Sequence, residues 1–360
     1  MARVIIAGGG TAGHIEPGLS VARLWREKFP QDHISFLGTS SGLENTLVPA
    51  ANFELLLIPK VVAPRKISLS LLSAPFSFIG AVAQTRKHMR GADILIGFGG
   101  YVSAPAYCAA KSLNIPIVIH EANAKPGVAN KLGALLGAKL AISRSVSAGK
   151  FSQALITGLP LRSDVIQAFN AAEANWNAAR RQAKIELGCD PDSDVILIMG
   201  GSQGSVALNS VVENSIEFML AQGVNVVHSV GQANILPRER PGYFPIPYIH
   251  SMSAAYLAAD LLIARSGAVT CSEFRTLGRY ALFVPLPIGN GEQRLNALDL
   301  VESGRAMIVE QSEFNSTYIT ENLKALREKS HHASVQGDGG ELLACEKIVS
   351  LMEYAISEKK

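Results

Sequence analysis

Continuous apolar runs of strand length alternate along this chain with longer stretches in which apolar and polar residues mix. In the first half the runs fall at residues 4–7, 34–37 (interrupted by Ser35), 94–96, 115–119, 140–142 and 154–156. The pattern then restarts at 195–199, 224–227, 261–263 and 281–284. Runs that are apolar throughout, and not alternately so, read as strands buried on both faces, as a parallel sheet covered by helices requires. The pattern predicts an α/β protein of two doubly wound domains. Gly158 and Pro160 break regular structure between them, and a polar helix-like stretch follows at 168–187. A second polar break at 331–340 precedes a last helix-like segment, 341–358. The two halves share a plan, with no repeat at the period of about 20 to 50 residues that marks a solenoid.

Each half opens on a buried strand that runs into a glycine-rich turn and then a helix. The first is Gly8-Gly9-Gly10-Thr11-Ala12-Gly13-His14 and the second Gly200-Gly201-Ser202-Gln203-Gly204. Such turns aim backbone N–H groups outward at a helix N-terminus, where an anion is favoured. Gly8, Gly10 and Gly13 also satisfy the spacing of a dinucleotide loop, but a NAD site calls for an acidic residue about 20 positions on, at the end of the second strand. That strand ends Phe36-Leu37-Gly38-Thr39, and the nearest acids, Asp32 and Glu44, are out of place for the ribose.

Other strand ends carry chemistry as well. Gly97-Phe98-Gly99-Gly100-Tyr101 repeats the glycine-rich turn, and His120-Glu121-Ala122-Asn123 sets an imidazole, a carboxylate and an amide at the carboxyl end of a strand, where open α/β sheets hold ligands. In the second half, residues 264–273 run from strand end to helix start: the amides of Ala268, Val269 and Thr270 can meet phosphate, and Glu273 can accept hydrogen bonds from ribose hydroxyls. Gly291-Glu292-Gln293-Arg294-Leu295-Asn296 offers groups suited to sugar hydroxyls. The segment 67–79 is apolar and flanked by Arg65, Lys66, Arg86, Lys87 and Arg90, a pattern that suits shallow attachment to an anionic bilayer.

Composition narrows the picture. With 360 residues, 48% of them hydrophobic and 18% charged, the chain is long enough for two cores. A net charge of +3 gives no concentrated basic face for nucleic acid. The four cysteines, Cys108, Cys189, Cys271 and Cys345, stand singly, without metal-ligand spacing, and read as free thiols of a reducing cytoplasm. No signal peptide and no run of about 18 apolar residues is expected. The acidic residues are too few and too separated for a metal site, so no metal or other cofactor is expected.

The order of these motifs closely resembles the MurG family, from Gly8 to about Glu310. The resemblance implies GT-B architecture: two Rossmann-like domains around a cleft, with a C-terminal helix returning to the first. It divides the chain into an acceptor- and membrane-facing domain, 1–159 with helix 341–360, and a UDP-GlcNAc-binding domain, 160–340. The implied activity is inverting transfer of N-acetylglucosamine (GlcNAc) from UDP-GlcNAc to the 4-hydroxyl of N-acetylmuramic acid (MurNAc) in the undecaprenyl-diphosphate acceptor lipid I. The implied partners are these two substrates, an anionic membrane surface on the cytoplasmic side, and other cell-wall synthesis enzymes. By the same resemblance Ser202 and the amides of Ala268, Val269, Thr270, Cys271 and Ser272 contact the donor diphosphate, with Glu273 on the ribose. Ile249 reads the uracil edge through its backbone, Gln293 binds GlcNAc hydroxyls, Arg162 is the interdomain arginine, and Thr11, Ala12, Gly13 and Asn123 complete the donor site. Tyr101, Asn130, Glu292 and Asn296 are candidate acceptor or sugar contacts. Glu292 stands where some members have glutamine. Ile67, Leu69, Leu72, Phe76 and Ile79 form the candidate membrane patch. For the general base that takes the acceptor proton, His14 ranks first, Glu121 second and His120 third. Three other readings stay open: a different GT-B enzyme or UDP-GlcNAc epimerase, a UDP-sugar-binding protein without catalysis, and a dehydrogenase.

Overall fold

The computed structural model describes residues 1–61, 70–146, 149–287 and 291–359, with side chains left aside at 70–74. The chain forms two compact units, Met1–Arg162 with Glu341–Lys360, and Ser163–Gly340. In the first, strands β1 (Arg3–Gly8), β2 (His33–Gly38), β3 (Glu54–Leu57), β4 (Ile94–Gly99), β5 (Ile117–Glu121), β6 (Lys139–Ile142) and β7 (Leu155–Ile156) alternate with helices α1 (Ala12–Lys28), α2 (Glu44–Ala50), α3 (Ser70–Met89), α4 (Ser103–Ser112) and α5 (Val128–Leu135). The second contains α6 (Ser163–Ala172), α7 (Trp176–Glu186), β8 (Val195–Met199), α8 (Val206–Ala221), β9 (Asn225–Ser229), β10 (Tyr243–Ile246), α9 (Met252–Ala258), β11 (Leu261–Ala264), α10 (Ala268–Leu277), β12 (Tyr280–Phe283), α11 (Glu292–Asn296), α12 (Leu298–Glu302), β13 (Ala306–Ile308) and α13 (Ser316–His332). Helix α14 (Ala344–Ser357) belongs to the first unit.

Both sheets are wholly parallel. Their orders are β3-β2-β1-β4-β5-β6-β7 and β10-β9-β8-β11-β12-β13. Each therefore reverses its winding beside the opening strand, at β1/β4 and at β8/β11, where doubly wound sheets bind ligands. The stretch expected as one helix at 168–187 is two, α6 and α7. Asn175 starts the second by accepting the amide of Ala178 on its side chain, as an N-cap does.

Two apolar layers hold the first sheet. On one face Ile6, Phe36 and Ile96 meet Ile15, Leu19 and Trp25 of α1, joined by Ile348, Val349 and Met352 of α14, all three of the latter fully buried. The spacing 345, 348, 349, 352, 355 puts the apolar stripe of α14 on one side of a helix, and Ile348, Val349 and Met352 each contribute about 1.5–3 kcal/mol by leaving water. The last helix thus returns to the first unit. On the other face Ile5, Leu95 and Ile119 pack on Val102, Ala106 and Tyr107.

Candidate functional site

The loops at the carboxyl ends of β1, β4 and β5 enclose a pocket of about 270 Å³ lined by His14, Gly99, Gly100, Glu121, Asn123, Val128 and Asn130, among others. The short turn after β1 sets His14 in the first turn of α1. Its Nδ1 lies 3.2 Å from the Gly9 carbonyl and 3.2 Å from Thr11 Oγ1. A carbonyl only accepts, so the Gly9 contact calls for a proton on Nδ1 and leaves Nε2 with its lone pair. Burial lowers the imidazole pKa below its ordinary value, opposed in part by the charge of Glu121 and by the bond to Gly9. His14 is thus held toward its neutral form at neutral pH.

Glu121, at the end of β5, is 3% exposed. Its Oε1 accepts from Asn123 N at 2.9 Å and Asn123 Nδ2 at 3.2 Å, and its Oε2 from Gly127 N and Asn130 Nδ2, both at 2.9 Å. With every acceptor site engaged, the carboxylate braces the pocket wall. Asn130 is buried between Glu121 and the Tyr107 hydroxyl, which donates to its Oδ1 at 2.8 Å. His120 sits elsewhere. Strand alternation turns it to the opposite face of β5 from Glu121, fully buried beside Phe98, with Nε2 2.9 Å from the Gly158 carbonyl and a pKa lowered to about 4 by burial. The structure gives it a core position, away from the pocket.

Tyr101 does not line the pocket either. Its hydroxyl donates to Glu44 Oε1 at 2.7 Å and lies 3.1 Å from Thr39 Oγ1. Glu44, fully buried, also accepts from Gly10 N and Thr39 N at 3.0 Å. Burial works to raise its pKa, but the bonds from Gly10 N, the Tyr101 hydroxyl and Thr39 N prevail and hold the carboxyl below the usual range. The acid that sequence reading set aside as misplaced for a ribose is therefore part of the site's support. Nothing in its spacing from Gly10 signals this, because β2 and the following turn bring it there. Asp32, the other acid set aside, accepts from Ala2 N and Trp25 Nε1 at the far end of the sheet.

In the second unit, α10 starts on Gly267, with no side-chain cap and no acid in its first turn. The amides of Ala268, Val269 and Thr270 have no intrahelical acceptor. That of Cys271 donates to the Gly267 carbonyl at 2.9 Å, so the ladder begins there and includes Ser272. Cys271 and Ser272, expected among the diphosphate donors, have their amides inside the helix. Glu273 is buried on the same helix. Helix α8 differs, since Ser205 caps it and accepts the amide of Leu208; Ser202 lies half-buried in the preceding turn.

Ile249 is buried beyond β10. Gln293 Oε1 accepts from Leu286 N at 3.0 Å, while Asn296, buried, donates to the Ser266 carbonyl at 3.3 Å; Glu292 is half-buried at the start of α11. Thr11, exposed, and Ala12 and Gly13, half-buried, start α1 in the first unit. Arg162 is half-buried at the end of that unit's main segment.

Sequence reading also passed over Arg265, at the end of β11. It is 6% exposed and donates to the carbonyls of Val284 and Pro285, to Ser205 Oγ and to Gln311 Oε1. One guanidinium thereby ties the loops after β8, β12 and β13. The signal was present: an arginine directly after the apolar run Leu261-Leu262-Ile263-Ala264.

In α3, Phe76 and Ile79 are 77% and 64% exposed, with Arg86 and Lys87 in the last turn. Ile67 and Leu69 lie outside the described residues, as does the side chain of Leu72. Among the described residues, no helix is long and apolar enough to cross a membrane, and no group of three or more His, Cys, Asp or Glu side chains is gathered as a metal ion would need.

Two doubly wound parallel sheets, each with a helix start free of a side-chain cap at its switch point, α1 in one and α10 in the other, are the architecture of GT-B glycosyltransferases. Residues 4–142 match the glycosyltransferase family 28 N-terminal domain and residues 195–339 the C-terminal domain. The UDP-N-acetylglucosamine-N-acetylmuramyl-(pentapeptide) pyrophosphoryl-undecaprenol N-acetylglucosamine transferase of Corynebacterium glutamicum strain R is 45% identical over 336 residues, 92% of either chain. The Streptomyces coelicolor enzyme of the same name is 42% identical, over 89% of this chain and 88% of that protein. The crystal structure of Acinetobacter baumannii MurG superposes with a TM-score of 0.72 at 26% identity, covering 98% of this chain and all of that one. The chain belongs to the MurG family of glycosyltransferase family 28.

Proposed function

We propose that this protein transfers GlcNAc from UDP-GlcNAc to the 4-hydroxyl of MurNAc in lipid I, inverting the anomeric centre, and that His14 is its general base. Family membership supports the reaction, and one observation carries the base: a half-buried imidazole in the pocket at the switch point, with Nδ1 committed to Gly9 and Nε2 left to accept. The acceptor oxygen attacks the anomeric carbon as the bond to the UDP oxygen breaks, and the acceptor's proton passes to Nε2 of His14. Negative charge grows on the departing diphosphate. The first-turn amides of α10, fixed before reaction, stabilise it there. Glu121 is less suited than His14 to take the proton because its acceptor sites are engaged, and His120 is remote from solvent.

On this reading the second unit holds UDP-GlcNAc, with Glu273 at the ribose and Gln293 at the sugar. The exposed apolar residues of α3, with Arg86 and Lys87, rest on the anionic cytoplasmic leaflet, where the lipid-linked acceptor resides. The test is UDP release with and without a soluble lipid I analogue, with mass spectrometry of the product. Acceptor-dependent release with a disaccharide product is expected. His14→Ala should cut turnover by about 10²- to 10⁴-fold while donor binding persists. Near-normal turnover in that variant would remove His14 from the role, and donor binding without acceptor-dependent release would count against the reaction itself.

A further inference from the structure

We infer that Glu44 is a positioning residue that acts on His14 through the Gly9–Gly10 peptide. The inference rests on the reading of His14 as the base. The C=O of Gly9 and the N–H of Gly10 belong to one planar unit. Its N–H donates to Glu44 Oε2 at 3.0 Å, and its C=O faces His14 Nδ1 at 3.2 Å. A buried carboxylate therefore holds one end of the peptide and the imidazole meets the other.

Two consequences follow from that connection. The charge-assisted bond fixes the peptide plane, so the Gly9 oxygen points at Nδ1 and specifies the Nδ1–H tautomer. It also polarises the peptide, making the Gly9 oxygen a better acceptor and Nε2 more basic. The surroundings leave the peptide little freedom. Gly10 has φ +95°, and a Cβ there would come within 2.8 Å of Tyr101 Cε1; a Cβ on Gly100 would meet the Gly9 oxygen at 2.2 Å.

Among the described residues, the charged and titratable groups around this relay are few. Glu121 on β5 acts on His14. Tyr101, just before α4, donates to Glu44, and Lys60 lies 5.3 Å from the Tyr101 ring centre. Thr39 supplies two further donors to Glu44, its amide at 3.0 Å and its hydroxyl at 3.3 Å. The arrangement resembles the carboxylate–histidine pairs of other active sites in its logic, with a peptide inserted between carboxylate and imidazole.

The test compares Glu44→Gln and Glu44→Asp with the wild type in the full-length protein. Three quantities are read: kcat and KM for UDP-GlcNAc, the acid limb of the kcat profile, and the ¹⁵N shifts of the His14 ring, identified by their loss in His14→Ala. Glu44→Gln should lower kcat about 10- to 100-fold with little change in KM. Its acid limb should move to lower pH, because a less polarised Gly9 carbonyl stabilises the imidazolium less. The ring shifts should move away from a single Nδ1–H form. Glu44→Asp, which keeps the charge, should restore part of all three. A wild-type tautomer and acid limb in Glu44→Gln, whatever its kcat, would overturn the inference and leave Glu44 as a loop clamp. If Glu44→Gln does not fold, an unchanged limb and tautomer in Glu44→Asp would overturn it equally. Normal turnover in His14→Ala would instead remove the base assignment, while the ring shifts would still report whether Glu44 sets the tautomer.

Discussion

Asn130 donates its side-chain amide to Glu121 Oε2 at 2.9 Å while its own Oδ1 accepts the Tyr107 hydroxyl at 2.8 Å. The link joins the end of β5 to α5 and α4 through buried groups. Glu121→Gln keeps the shape but presents an NH₂ to groups that themselves donate. A loss of about 2–4 kcal/mol in unfolding free energy is expected, measured by denaturant titration. With His14 proposed as the base, the acid limb of turnover should persist in this variant; its disappearance would return Glu121 to that role.

Gly10 has no room for an added methyl group without a shift of its neighbour. At φ +95° an L side chain is strained, and its Cβ would press on the Tyr101 ring at 2.8 Å. Gly10→Ala should lower stability by about 1–2 kcal/mol. It should also depress turnover with little effect on donor binding, because the displaced peptide is the one that meets His14. Thermal unfolding and donor titration check the two halves of the expectation.

His120 and His228 make stability depend on pH. Burial lowers both pKa values to about 4, from 6.5 for an ordinary imidazole. Between those values the unfolded chain takes up protons that the folded chain refuses. Their contribution is therefore fully present above pH 6.5 and is lost as pH falls toward 4. For His120 the loss from pH 7 to pH 5 amounts to about 2 kcal/mol. His120→Gln should start less stable and lose less over the same interval. Denaturant titrations at the two pH values measure the difference, and equal losses in both proteins would contradict the buried neutral state.

Phe76 and Ile79 expose apolar surface beside the cations of α3. Replacing both, Phe76→Asp with Ile79→Ser, should weaken binding to anionic vesicles about tenfold or more. Turnover of a soluble acceptor analogue should stay unchanged. Loss of soluble turnover, or undiminished vesicle binding, would count against α3 as the attachment surface.

The two parallel sheets are legible in the sequence, because strands buried on both faces are apolar along nearly their whole length. That signal is strongest in central strands such as β1, β4 and β8. It fades at the margins: β3 and β13 are edge strands, and β10, also an edge, contains Pro245. None of the three stands out as a strand by its sequence, since an edge strand is covered on fewer sides and tolerates polar residues and proline. The stretch expected as one helix at 168–187 was divided by a cap at Asn175, which composition alone does not reveal.

The glycine loops and the chemistry at strand ends were equally legible, since turns that present backbone to an anion are written in a few adjacent residues. What tertiary structure alone decided is which neighbours each polar group finds. His120 and Glu121 adjoin in sequence, yet one enters the core and the other the pocket, because β5 sends successive side chains to opposite faces. Glu44 lies 34 residues from Gly10 and bonds to its amide because strand order sets β2 beside β1. Periodicity and propensity are local, whereas the pairing of a buried carboxylate with its donors depends on how distant segments pack.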